Sequence, residues 1–294
     1  MGGQFYSNGK LLLTGEYAVL DGALSFALPT TYGQFLKVKK TMSSTLVWKS
    51  FDEHAAIWFE TTFALNELSE FQKSEASTPR NTLGTILFEA QRLNPTFLNG
   101  HDGFEIETRL TFPRNWGLGS SSTLINNIAQ WAKVDAYALL RNSFGGSGYD
   151  IACANHDLPI LFQIKNGMPH VEEIDFRPSF DNHLYFVYLN KKQNSQEGIM
   201  RYRKLKFDRA HLIAQISKIS SQMSSCTNLE TFVEQMEMHE EVLSEILGIP
   251  TVKDELFSDY PGAIKSLGAW GGDFVLATGD THCQAYFKKK GHET

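Results

Sequence analysis

The chain has 294 residues, enough for one large domain or two ordinary ones with full hydrophobic cores. It is 42% hydrophobic and 20% charged, which excludes a disordered chain, and 27 basic against 33 acidic side chains give a net charge of −6 with no basic block, arguing against nucleic acid as the main partner. No apolar run approaches the ~18 residues of a membrane span, the start MGGQFYSNGK lacks a signal peptide's apolar core, and three cysteines form neither a metal spacing nor a disulfide framework, so a cytoplasmic protein without a membrane partner is expected.

The first expected elements are short strands at residues 4–6 and 11–14, separated by a turn at Ser7-Asn8-Gly9-Lys10. Residues 45–50 and 56–63 read as a hairpin. Between 82 and 94, Leu83, Ile86, Leu87, Ala90 and Leu93 recur at helical spacing, and Pro95 closes the segment. The clearest strand is 104–112, with Phe104, Ile106, Leu110 and Phe112 on one face and Glu105, Glu107 and Arg109 on the other. The loop PRNWGLGSSST follows at 113–123, then a helix bearing Ile125, Ile128 and Ala132, and another over 133–141. Residues 159–174 read as a hairpin turning at Asn166-Gly167. RPSFDN, at 177–182, is the expected domain seam. Beyond it come a strand at 183–189, a helix within 207–224 and a long helix over 227–247. The glycine cluster GAWGGDF, at 268–274, precedes a short strand at 275–277. Mixed α and β with a seam near 180 implies an α+β protein in two domains.

The serine loop has two readings. A helix N-terminus offers unpaired N–H groups and a partial positive charge, glycines let the backbone approach an anion, and hydroxyls add donors or a metal ligand. Gly117, Gly119, Ser120, Ser121 and Ser122 are therefore a candidate phosphate cradle. A serine-capped helix after a flexible turn accounts for the same residues. The Walker pattern is absent.

Three stretches in order, SNGKLLLTGEYAVLDG at 7–22, the serine loop and GAWGGDF, resemble the three motifs of the GHMP kinases, and the resemblance spans nearly the whole chain. Pro113 and Gly117-Leu118-Gly119-Ser120-Ser121 match the middle motif, Gly9-Lys10 and Gly15-Glu16 the first, and Gly268-Ala269 and Gly271-Gly272 the third. GSGYDIA at 146–152 resembles the family's substrate-side segment, and MHEEVLSEILGI at 238–249 the helix before the third motif. The mevalonate and phosphomevalonate kinase branch is the most similar. The resemblance implies a ribosomal-protein-S5-like ATP-binding domain over 1–180 and a ferredoxin-like α/β-plait domain over 181–294. It further implies ATP and Mg2+ as cofactors, a small phosphorylated or hydroxylated acid as substrate, and a monomer or homodimer. Phosphomevalonate is the first acceptor implied and mevalonate the second. A diphosphomevalonate decarboxylase-like enzyme and a non-catalytic nucleotide- or metabolite-binding protein on the same scaffold are the rivals. GSGYD argues against the decarboxylase, which in this family places its aspartate in a later segment.

By that resemblance Lys10 and Asp150 are the catalytic pair, Asp150 facing the acceptor unless it merely caps the helix that begins there. Pro113, Gly117, Leu118, Gly119, Ser120, Ser121, Ser122 and Thr123 hold the nucleotide, with Ser121 also on the metal. Glu16, Ser147, Gly148, Lys191, Lys192, Ser195, Gly271 and Gly272 are implied on the substrate side. Glu16 has the alternative of an interior partner, backbone or Lys10, and Lys191, Lys192 and Ser195 that of a solvated turn. His239, between Met236 and Leu243, reads as a core histidine. Mevalonate kinases add a metal-binding glutamate about eleven residues before the aspartate, and Leu139 stands there. Asn8 replaces a usual proline, and Trp116 and Trp270 enter loops where the family favours small residues, either to shield phosphates, to narrow the pocket or simply to pack.

Overall fold

A computed structural model of the chain describes residues 2–73, 78–100, 102–192, 195–268 and 270–294. They form two compact units: Met1–Lys10, Thr30–Arg114 and Leu118–Asp157 in the first, and Leu11–Pro29, Asn115–Gly117 and Leu158–Thr294 in the second.

In the first unit, strand β1 (Gly3–Thr14) runs unbroken through the SNGK segment, where the sequence predicts a turn. Strand β2 (Ser25–Thr41) pairs with it and contributes its residues from Thr30 onward to this unit. Strands β3 (Thr45–Phe51) and β4 (Ile57–Ala64) form the expected hairpin, followed by helix α1 (Pro79–Leu93), which Thr78 caps by accepting Asn81 N–H. Strand β5 (Gly103–Leu110) inserts between β3, parallel, and β2, antiparallel. Helices α2 (Ser120–Ala132), α3 (Ala136–Ser143) and α4 (Tyr149–Asn155) follow. Alternation on the strands puts Leu36, Val38, Leu46, Trp48 and Ile106 on one face, where they pack with Ile86, Ile125, Ile128, Leu139 and Ile151 from the helices. Burying such side chains is worth ~1.5–3 kcal/mol each, so the sheet face fixes the helices.

Polar residues then set the register of β1. Ser7 Oγ donates to Asn127 Oδ1 at 2.9 Å, and Asn126 Nδ2 donates to Ser7 Oγ at 2.9 Å and to Ala154 O at 3.3 Å, all buried. Asn8 donates to His156 O and Asp157 Oδ1, both at 2.8 Å, a bond pair that proline could not make. These bonds hold Ser7 and Asn8 in an extended strand against α2 and α4.

In the second unit, β6 (Ile160–Lys165) and β7 (Met168–Glu173) form the hairpin at Asn166-Gly167, and Ser25–Ala27 of β2 pairs with β6. Next come strand β8 (Leu184–Tyr188), helices α5 (Ser195–Lys204), α6 (Arg209–Ser224), α7 (Leu229–Leu247) and α8 (Val252–Leu256), strands β9 (Ile264–Leu267) and β10 (Phe274–Thr278), and helix α9 (His282–Lys289). The sheet order is β8-β10-β9, all antiparallel. One face of α7 carries Leu243 and Leu247 into a cluster with Leu212, Ile216 and Ile219 of α6 and with Ala18.

Candidate active site

In the first unit the loop after β5 ends in Gly119, the residue that precedes α2, at φ 89° and with no side-chain cap. The first N–H groups of this 13-residue helix are thus left to the backbone and to any anion placed there. The serines behind the glycine divide. Ser122 is buried and donates to Gly119 O at 2.8 Å, and Thr123 donates to Gln34 Oε1 at 2.9 Å. Their hydroxyls stiffen the turn. Ser120 is half-buried and Ser121 is exposed, leaving these two hydroxyls at the helix start.

Lys10 is placed by its backbone and by that glycine. Its N–H donates to Leu118 O at 3.0 Å, and a Cβ on Gly119 would lie 3.2 Å from Lys10 Cγ, so the lysine stem lies along the helix start. Its Nζ stands 5.8 Å from the centre of the Tyr149 ring. Gly148, at φ 90°, turns the chain into α4 so that Tyr149 and Asp150 open the helix, with Asp150 Oδ1 accepting the N–H of Ile151 at 3.1 Å. Burial raises the Asp150 carboxyl above the usual aspartate range against the opposing charge of Lys10. Burial also pushes the Tyr149 hydroxyl up to about 12, with Lys10 acting the other way. Lys10, Asp150, Ser120, Ser121 and Ser147 thus all belong to the first unit; Gly148, not Asp150, is the residue that caps α4, and Asp150 lies in its first turn within the field of Lys10. Tyr149 is the member that the sequence reading misses. Its only signal is its position between Gly148 and Asp150.

The second unit holds the rest. Lys191 and Gly271 line one cavity of about 370 Å³ together with Tyr17, Arg201 and Trp270. Lys192 is exposed, Gly272 is buried, and the side chain of Ser195 lies outside the described residues. Trp270 is buried, its Nε1 donating to Pro250 O at 3.3 Å, so it packs and walls the cavity at once. Trp116 packs edge-on against Phe274, ring centroids 5.6 Å apart, and Tyr188 donates to Asn115 O at 3.2 Å.

Glu16 has an interior partner, and it is not Lys10. Lys265 Nζ donates to Glu16 Oε1 at 2.9 Å and lies 3.7 Å from Glu240 Oε1, with all three side chains buried. His239 Nε2 accepts the N–H of Gly15 at 3.0 Å and lies 3.1 Å from Glu16 Oε2. Burial works to raise the Glu16 carboxyl, but the charge of Lys265 and its hydrogen bond outweigh it and hold it below the usual range. Burial, helped by Lys265, keeps His239 neutral, and burial pushes Glu240 up to about 7 despite Lys265. Through these contacts Glu16 ties α7 and β9 to the end of β1. Sequence reading misses Lys265, though a lysine inside the apolar run AIKSL was a signal.

Magnesium is a hard cation that takes oxygen ligands and keeps several waters. In the first unit Ser121 presents an exposed hydroxyl of that chemistry at the start of α2, whereas Leu139 is wholly buried in the core and contributes none. Among the described residues no group of three or more His, Cys, Asp or Glu side chains is placed to hold a metal. No helix among them is long and apolar enough to cross a membrane.

No protein-family model and no curated protein matches the chain. Solved structures do. The Methanococcus jannaschii mevalonate kinase matches at a TM-score of 0.70 and 16% identity, covering 99% of this chain and 94% of its own. The Streptococcus pneumoniae phosphomevalonate kinase, solved with phosphomevalonate and AMPPNP, matches at 0.70 and 17%, covering 99% and 97%. The Lactococcus lactis galactokinase, solved with galactose, matches at 0.67 and 14%, covering 98% and 88%. The chain has the mixed α+β fold of these GHMP kinases.

Proposed function

We propose that the chain is a phosphotransferase of the GHMP type that uses Mg-ATP to phosphorylate a small acid, phosphomevalonate first and mevalonate second. One observation carries the reading: the Lys10 stem along the start of α2, with Asp150 close enough to feel its charge. The full-length fold likeness to three such kinases supports it.

Turnover of ~1–100 s⁻¹ corresponds to a barrier of roughly 15–17 kcal/mol. The α2 terminus contributes only ~0.3–2 kcal/mol toward holding an anion, so side-chain charge must do more. Lys10 neutralises charge on the transferring phosphoryl group, and Tyr149 and Gly119 keep its ammonium in place. Asp150, held above the ordinary aspartate range, orients a hydroxyl acceptor and accepts its proton; with a phosphate acceptor it only positions. Ser121, with the nucleotide's own phosphates and water, would hold the metal, which when bound neutralises the charge of those phosphates. In the second unit, Lys191 and Arg201 line a cavity of their own and are two cations suited to an acidic group.

The test is ADP release with Mg-ATP and a panel of mevalonate, phosphomevalonate, diphosphomevalonate, homoserine and galactose. Turnover on phosphomevalonate or mevalonate is expected. Turnover on homoserine or galactose alone would refute the acceptor. Nucleotide binding without turnover on any member would refute the phosphotransferase and leave a nucleotide-binding protein, the reading that Leu139 and the inward hydroxyls of Ser122 and Thr123 favour.

A further inference from the structure

The sheet of the first unit has a second face, turned away from the helices. Leu36, Val38, Leu46, Trp48 and Ile106 point into the core, so alternation sends Phe35 and Lys37 of β2, Phe51 of β3, and Glu107 and Arg109 of β5 outward. These five residues and Ala55 are among those lining a furrow of about 460 Å³, a volume within the range of small-ligand sites. All of its lining belongs to this unit.

Pairing register decides which side chains stand together. Arg109 lies opposite Phe35 on one neighbouring strand and Phe51 on the other, while Glu107 lies opposite Lys37 and Lys49. Two strand spacings put the phenylalanine backbones roughly 10 Å apart, with the arginine between them. Phe35 is 37% exposed although it packs on Tyr6, ring centroids 4.5 Å apart, so aromatic surface faces solvent here. The hairpin tip beside them is held by its own chain. Asp52 Oδ1 accepts the N–H groups of His54 at 3.0 Å and Ala56 at 2.8 Å, with Ala55 between them at φ 63°.

Charge on this face is matched except in the furrow. Lys39 pairs with Glu105 at 2.8 Å and Lys49 with Glu60 at 3.4 Å. Among the described residues Lys37 and Arg109 form no ion pair or side-chain hydrogen bond, and the Arg109 guanidinium lies over no aromatic ring. Both are exposed, and Glu107 is the carboxylate between them and Lys49 in the pairing register. Two unpaired cations beside exposed rings suit a flat ring carrying one acidic group, the ring covering the phenylalanines and the acid meeting Lys37 and Arg109. The carboxylates of Glu60, Glu105 and Glu107 on the same face make it unsuited to a polyanion.

We propose that this furrow binds a planar aromatic anion of mononucleotide size, one ring system bearing a phosphate or a carboxylate, at a site separate from Lys10 and Asp150.

The experiment is calorimetry with 5′-AMP and with indole-3-acetate, in saturating Mg-AMPPNP so that the proposed nucleotide site is filled. Adenosine and inorganic phosphate are the controls. Wild type is compared with Lys37→Gln, Arg109→Gln and Phe35→Leu, the last keeping an apolar side chain against Tyr6, and ADP release is measured on each. Because the substitutions themselves locate the bound anion, the result does not depend on whether AMPPNP binds. At least one anion should bind, weakened at least about tenfold by either glutamine and about fivefold by Phe35→Leu, with ADP release unchanged. The tighter anion identifies phosphate or carboxylate as the acidic group, and adenosine and phosphate should each bind at least about tenfold more weakly than it. Absence of binding by both anions at millimolar concentration overturns the inference, as does an affinity that none of the substitutions changes. Inorganic phosphate bound as tightly as the better anion also overturns it, reducing the furrow to a charge patch. Loss of ADP release in step with binding would merge the furrow with the active site, and a dimer dissociated by Phe35→Leu would give the face to a second copy. Either result overturns a separate small-molecule site.

Discussion

Replacing Lys265 by methionine keeps the length and most of the volume of the side chain and removes one buried positive charge. At the 2.9 Å separation from Glu16 Oε1 the attraction is on the order of 6 kcal/mol at an effective dielectric of ~20, before desolvation is charged against it. Lys265→Met leaves Glu16 and Glu240 buried without their cation, and breaking a buried pair from one side typically costs about 3–5 kcal/mol. Against a total stability of roughly 5–15 kcal/mol, that is a large share. Removing both charges is different: with Glu16→Gln and Lys265→Met together no carboxylate at position 16 is stranded, and the double variant should lie within about 1–2 kcal/mol of wild type. Urea unfolding at pH 7 on the four proteins of the cycle gives the answer, provided the slope of free energy on urea is common to all. The reasoning fails if Lys265→Met costs under about 1 kcal/mol, or if the double variant loses the sum of the single losses.

Three further outcomes follow from the geometry. Asp150→Asn should lower phosphoryl transfer by about 10²–10⁴-fold with nucleotide affinity nearly unchanged by calorimetry; a large loss of nucleotide binding would remove Asp150 from the acceptor's side. Gly119→Ala forces an L side chain to φ 89° and sets its Cβ 2.7 Å from Ser122 Oγ, so it should cost about 1–3 kcal/mol in urea unfolding and displace the Lys10 stem. A variant with full stability and full turnover would contradict that account. Glu240 keeps its proton to about pH 7 in the fold but releases it near 4.5 when unfolded, so its contribution to stability is present below 4.5 and is lost as pH rises through 7. Thermal unfolding between pH 6 and 8 should therefore fall less steeply in Glu240→Gln than in wild type; parallel curves would refute the assignment. His239, lowered by burial, acts in the opposite sense below about 6.5, and the comparison begins at pH 6 to limit its share.

What the sequence made legible was local. The alternation of 104–112 is reproduced by β5, whose buried face also takes in Thr108, and the helical spacing of 82–94 is reproduced by α1. Strand β2 was hidden because Pro29 and Gly33 break its pattern, although Gln34, Leu36 and Val38 alternate inward beyond them. Helix α9 was hidden by its brevity, with only Cys283 and Phe287 marking a buried face. The turn expected at Ser7–Lys10 illustrates the limit of local signals. Asparagine and glycine do favour turns, but Ser7 and Asn8 have partners on α2 and at the end of α4 that outweigh that preference.

The same limit governs the site. Glycine conformation is a property of a few adjacent residues, so the uncapped start of α2 could be read from Gly117-Leu118-Gly119 and the serines after it. Which hydroxyls stay outward could not, because Gln34, the partner that turns Thr123 inward, lies 89 residues away. Glu16 and Lys265 are 249 residues apart and Asp273 lies far beyond Gly117, so no window of sequence contains either contact. A carboxylate in a glycine-rich stretch reads as polar punctuation until the backbone shows it resting on another glycine. Each such long-range contact brings a charge to a place that local sequence does not reveal: Lys265 offsets a buried carboxylate, and Asp273 places one against Gly117. The fold therefore follows from patterns that neighbouring residues share, whereas the electrostatics of the site follow from pairings that only the folded chain creates.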